Sequence, residues 1–178
     1  MKRIFLAVLF LFTSFIYCQS KDNADCYFKF QYDTIVEKTF VLDFEKLFDK
    51  TETKELNKLI SDFEIASSIE IAIITFDEKY ESDEDFHKSA LFAANWIGIG
   101  KKELNNGILI GISNKSRKIR IENGIGIETV LTDAETKSII DNSFIPYFKE
   151  KNFYKGTVEG IKKIIEILKV KLGQEITK

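Results

Sequence analysis

Apolar residues along the chain keep two rhythms, a recurrence every three to four positions and a short alternation or run, and these divide it into helices and strands. Leu56, Leu59, Ile60, Phe63 and Ala66 recur at helical spacing behind Asp49 and Glu52, a pair placed to cap a first turn, so a helix is predicted from about Lys50 to Ala66. The stretch from Ile69 to Phe76 is apolar on both sides, with Ile69, Ile71 and Ile73 on one and Ala72, Ile74 and Phe76 on the other. Such a strand is central and covered above and below. A second helix opens at Ser82, Asp83 and Asp85, buries Phe86, Ala90, Ala93, Ala94 and Ile97, and ends at Gly98 and Gly100.

Gly107 to Ser113 reads as another doubly apolar strand. Asn114-Lys115-Ser116 turns it into Lys118 to Glu122, where Ile119 and Ile121 alternate with charges, which describes a hairpin with a half-exposed second strand. Asn123-Gly124-Ile125-Gly126 then breaks the pattern; without a P-loop lysine it reads as a structural turn. Thr132 and Glu135 form a second capping pair, starting a helix that carries Ile139, Ile140 and Phe144 and is disturbed at Pro146. A last, amphipathic helix follows Phe153-Tyr154-Lys155-Gly156, and near the start Tyr27, Phe28, Phe30 and Tyr32 alternate with polar residues as an edge strand would. The expected fold is α/β, a three-layer α/β/α sandwich around a small mixed β-sheet.

The beginning of the chain changes the picture from a bare domain to an exported one. Lys2 and Arg3 precede an uncharged apolar run from Ile4 to Tyr17, too short to span a bilayer, followed by polar residues. This is a secretory signal over residues 1–18. Two processing outcomes stay open: peptidase cleavage after Cys18 or Ser20, or a lipoprotein signal that leaves Cys18 as an acylated first residue and anchors the domain to a membrane. The expected organisation is then an extension over 19–39, one domain over 40–172 and a polar tail over 173–178. The expected location is the periplasm or cell envelope of a bacterium.

Charge excludes one class of partner. Lys plus Arg total 26 against 28 for Asp plus Glu, a net charge of -2, and no basic footprint for nucleic acid results. No membrane-spanning segment is expected in the mature chain. Cys26 has no second cysteine to pair with unless Cys18 is retained, and His87 is the only histidine, so neither a disulfide framework nor a zinc site is expected.

The hairpin brings distant polar residues together, because the residue before its first strand lies beside the residue after its second. Asn105 and Asn106 are therefore expected near Gly124 and Gly126, with Glu128 and Asp133 leaving from the same end. Carboxylates, amides and loop carbonyls are hard oxygen donors of the kind calcium collects. The rival acidic run, Asp77, Glu78, Glu81, Asp83, Glu84 and Asp85, reads as a solvated loop with favourable charge at a helix start.

Six ordered blocks resemble the TPM domain family, known from chloroplast-lumen, receptor-associated and bacterial envelope proteins. They are Val41-Leu42-Asp43-Phe44, Trp96-Ile97-Gly98-Ile99-Gly100, Asn106-Gly107-Ile108-Leu109, Arg117-Lys118-Ile119-Arg120-Ile121-Glu122, Gly124-Ile125-Gly126-Ile127-Glu128 with Val130-Leu131-Thr132-Asp133-Ala134, and Phe153-Tyr154-Lys155-Gly156. The resemblance implies calcium binding through an acidic loop site, with Asp43, Asn105, Asn106, Glu128 and Asp133 as the metal-ligand region. It also implies an alternative, since a plant member is described as an acid phosphatase. Two positions depart from the family pattern: Asn105 stands where the family usually carries Asp, and Thr132 where it carries Pro. An amide keeps the oxygen and loses the charge, which weakens calcium binding. The expected function is an exported module, binding calcium and acting on another envelope protein through surface contact; the alternative is a metal-assisted phosphomonoesterase.

Overall fold

A computed structural model describes residues 39–77 and 86–173. The expected edge strand at Tyr27 to Tyr32, the signal, Cys18, Cys26, the first residues assigned to the second helix and the tail beyond Gly173 lie outside them. Four strands form one sheet in the order β1-β2-β3-β4: β1 (Val41–Asp43), β2 (Glu70–Thr75), β3 (Gly107–Ser113) and β4 (Lys118–Asn123). The first three are parallel and β4 closes the hairpin antiparallel to β3. The mixed α/β sandwich expected from periodicity is the fold.

Helix α1 (Lys50–Ser67) begins where the sequence places it, with Asp49 accepting from the Thr51 and Glu52 amides while Glu52 reaches back to the Asp49 amide. Its buried stripe, Leu56, Ile60 and Phe63, packs with Ile71, Ile73, Ile110 and Ile121 on one sheet face. Each such side chain contributes roughly 1.5–3 kcal/mol by leaving water. Helix α2 (Phe86–Ile97) covers the other face. There the backbone of Gly111 admits the Phe76 ring and Ala90, and Phe76 meets Phe86 edge to face at 5.2 Å.

Both crossovers step the same way across the sheet, β1 to β2 to β3, yet α1 and α2 lie on opposite faces. They therefore have opposite hands, one of them the uncommon left-handed form.

After β4 the chain makes a single turn, α3 (Ile125–Glu128), and then α4 (Asp133–Ile139), which is capped by Thr132 and Glu135 as expected. The disturbance foreseen at Pro146 takes a definite shape. Residues Ile140–Phe144 form a π-helical turn, and Pro146 stands at the start of the next helix, α5 (Ile145–Lys149). Widening the turn removes the clash that a proline ring makes with the carbonyl four residues earlier, so the chain bends without stopping. The same turn delivers Phe144 onto α6 (Phe153–Leu172), where a Cβ at Gly160 would lie 1.9 Å from the Phe144 ring. Tyr154 of α6 donates to the Glu55 carboxylate of α1, which pushes the phenol up to about 12. No described helix is long and apolar enough to cross a membrane.

Candidate functional site

The five residues assigned to a metal site stand at two ends of the sheet. Asp43 ends β1 and pairs in register with Thr75, whereas Asn106 precedes β3 beside Glu70. Five residues of β2 separate the two positions, about 17 Å at ordinary strand rise. One ion cannot bridge them.

At the first end Asp43 is fully used by its own loop. Its Oδ1 accepts from the Leu47 amide at 3.0 Å and from Thr75 Oγ1 at 2.7 Å, and its Oδ2 from the Phe48 amide at 2.8 Å. Thr75 Oγ1 in turn accepts from the Glu45 amide at 2.9 Å. Glu45 then reaches the hairpin turn, taking the Asn114 amide at 2.8 Å and the Lys115 amide at 3.2 Å. Three segments far apart in sequence are thus tied by two carboxylates and a hydroxyl at the carboxyl ends of β1 and β2. The arrangement leads β1 into the approach to α1 and satisfies the Leu47 and Phe48 backbone donors, which that turn would otherwise leave unpaired. Asp43 is a structural cap.

The second end is assembled as the hairpin geometry requires. The Gly124 amide donates to Gly107 O at 2.8 Å and the Gly126 amide to Asn105 O at 3.1 Å. Glycine is needed at both positions, because a Cβ would lie 2.2 Å from Asn105 O at Gly124 and 2.0 Å from Leu104 O at Gly126. The structural reading of this turn holds. Asn105 takes a left-handed backbone, φ 45°, which asparagine tolerates better than most residues. Buried Asn106 has both ends of its amide engaged: Oδ1 accepts from the Lys101 amide at 2.9 Å and Nδ2 donates to Ser68 O at 2.6 Å. Glu70 reinforces it by taking the Gly100 amide at 2.8 Å. Asn106 is consequently a loop clasp.

That leaves Asn105, Glu128 and Asp133, all exposed, with side chains that form no hydrogen bond to another described residue. Glu128 closes the α3 turn, and Asp133 is the first residue of α4, where the cap is made by Thr132 and Glu135 instead. Lys171 Nζ lies 2.7 Å from Glu135 and also donates to Val130 O at 2.8 Å. Its ammonium, with the Thr132 amide, holds the Glu135 carboxyl down at about 2. Leu104 and Ile125, on the two interlocked turns, keep 54% and 72% of their surface exposed.

Among the described residues no three of His, Cys, Asp and Glu converge as a ready-made metal cage. Glu128, Asp133 and the Asn105 amide carry hard oxygen donors, whose chemistry suits calcium. His87 on α2 lies 2.8 Å from Glu122 of β4, whose carboxylate also takes Arg120 Nε at 2.7 Å. Sequence reasoning missed Glu45, because its partners lie 69 and 70 residues away and no local pattern announces them.

Comparison with known proteins places this architecture. The family model for the TPM domain matches residues 41–167. Among solved structures, the N-terminal domain of a P. gingivalis protein, determined by NMR, is similar at 25% identity, with 78% of this chain and 87% of that one covered and a TM-score of 0.68. The NMR structure of the BA42 protein from the psychrophilic bacterium Bizionia argentinensis is similar at 26% identity, covering 71% and 85%, with a TM-score of 0.62. The N-terminal domain of the cg2496 protein from Corynebacterium glutamicum shares the fold at 12% identity and a TM-score of 0.57. No curated protein matches.

Proposed function

This chain belongs to the TPM domain family, and on that premise we propose that it is an exported module of the bacterial envelope that binds calcium at the Asn105, Glu128 and Asp133 end and presents that end to another envelope protein. The observation that carries the reading is the contrast in availability: Glu128 and Asp133 are exposed and unengaged, beside turns locked by backbone contact and carrying Leu104 and Ile125 into solvent. Rigid turns hold ligands without an ordering cost, and exposed apolar side chains on such turns suit contact with a protein surface. Calcium would neutralise the two carboxylates and bring the start of α4 toward the Asn105 turn. With two carboxylates and one amide, affinity belongs in the range of extracellular modules, roughly 10⁻⁴–10⁻³ M.

Export rests on the basic and apolar start of the chain, and mass spectrometry of the mature N-terminus separates removal of Cys18 from its acylation. The phosphomonoesterase alternative needs a metal-activated water and a proton acceptor. Asp43, spent on three hydrogen bonds, is a poor acceptor, so that role falls to Asp133.

Calorimetric titration of the full chain with calcium tests the proposal, alongside hydrolysis of p-nitrophenyl phosphate. Saturable binding weakened about tenfold by Glu128→Gln or Asp133→Asn supports it. A flat titration, or one indifferent to both substitutions, removes the calcium site. Metal-dependent turnover abolished by Asp133→Asn would replace the binding module with the enzyme.

A further inference from the structure

The two edges of the sheet are finished differently. On β1, Thr39 folds back so that its Oγ1 accepts from the Val41 amide at 3.2 Å, and its one hydroxyl proton faces both the Val41 carbonyl and Asn57 Oδ1, each at 3.1 Å, which occupies the outward backbone groups of Val41. On β4 the phase of the ladder is set by Gly124 N donating to Gly107 O and by the register Leu109 to Glu122 and Gly111 to Arg120. Lys118, Arg120 and Glu122 therefore turn their backbone groups to β3, and Ile119, Ile121 and Asn123 turn theirs outward. Those three have no backbone partner among the described residues. Among the described residues no strand pairs with this side of the six-residue β4.

We propose that β4 is a self-complementary edge through which two copies of this chain pair antiparallel about Ile121. The side-chain pattern selects that register. Centred on Ile121, Arg120 stands directly across from the second copy's Glu122, twice by symmetry, on the sheet face that carries α2. On the opposite face Ile121 meets Ile121, and Ile119 meets Asn123. Centred on Ile119, Lys118 would oppose Arg120, and like charges directly across a ladder are destabilising. The Arg120 side chain, 46% exposed, donates to its own Glu122, which is 12% exposed and also meets His87, so the pairing exchanges the Arg120–Glu122 contact within each copy for one across the seam. The two-fold joins the sheets into one of eight strands with an isologous contact. A single short strand buries less than the roughly 800 Å² per partner of a standard interface, so the pairing is weak and concentration-dependent.

Sedimentation equilibrium on the full chain from about 1 μM to about 1 mM tests this independently of calcium. Self-association is expected, with its dissociation constant raised about tenfold or more by Arg120→Glu and by Glu122→Arg, and restored in the double reversal, where the cross-copy pairs re-form with opposite sign. Circular dichroism confirms that each variant is folded; a single reversal that unfolds the monomer leaves the double reversal to decide. A chain monomeric throughout the range, an association unmoved by both single reversals, or a folded double reversal that fails to associate overturns the proposal.

Discussion

The two ends of the sheet hold similar residue types and put them to different use. At the carboxyl ends of β1 and β2, Asp43 and Glu45 accept from backbone amides of two segments, Leu47 with Phe48 and Asn114 with Lys115, and Asp43 also takes the Thr75 hydroxyl. At the other end, Glu128 and Asp133 sit on turns already closed by backbone bonds and glycine contacts, and their carboxylates are left to solvent. An acidic residue becomes a candidate ligand only when the fold does not need its oxygens. By that measure the end at Asp43 and Glu45 is architecture, and the hairpin base is the end on which the proposed function rests.

Substitution at the Asp43 end should have the largest effect on stability. Asp43→Ala strands two amides and a hydroxyl and is expected to cost about 3 kcal/mol in urea unfolding, since hydrogen bonds to a charged acceptor contribute roughly 1.5–3 kcal/mol each and do not add fully. A cost below 1 kcal/mol would mean that the cap is dispensable and Asp43 is free for other work. Next comes the scaffold of the other end. Gly126→Ala drives a methyl against the Leu104 carbonyl and should cost about 2 kcal/mol while lowering calcium affinity, a coupling that unfolding and titration of the same variant would reveal. Glu128→Gln and Asp133→Asn, by contrast, should stay within about 0.5 kcal/mol of the parent in stability while weakening calcium binding. The smallest effect is at acid pH. Glu135 falls from 4.5 to about 2 in the fold, so its contribution is present above pH 4.5 and fades as pH drops toward 2; Lys171→Ala should flatten that part of the stability profile.

Much of the fold was legible because its signals are local. The capping pairs at Asp49/Glu52 and Thr132/Glu135 mark helix starts within four residues, and the runs of Ile69 to Phe76 and Gly107 to Ser113 announce buried strands. Strand β1 was invisible as a strand, since Val41–Asp43 is too short to show an alternation and exists only through its parallel partner. The π-turn had one local sign, Pro146, which tells that the helix is disturbed but not how. Half of the candidate site followed from hairpin geometry: Asn105 and the Gly124–Gly126 turn do meet. Asp43 and Asn106 carry the right atoms in the wrong circumstances, because which acceptors a fold consumes depends on contacts 30 or more residues distant, such as Thr75 to Asp43 and Asn106 to Ser68.

The most direct test of the division between the two ends is a calcium titration of the isotopically labelled full chain, followed through its backbone amide signals. The account predicts that Asn105, Gly124, Gly126, Glu128 and Asp133 shift together and saturate, while Asp43, Glu45 and Thr75 stay still. Shifts centred on Asp43 and Glu45, with the hairpin base unmoved, would contradict it.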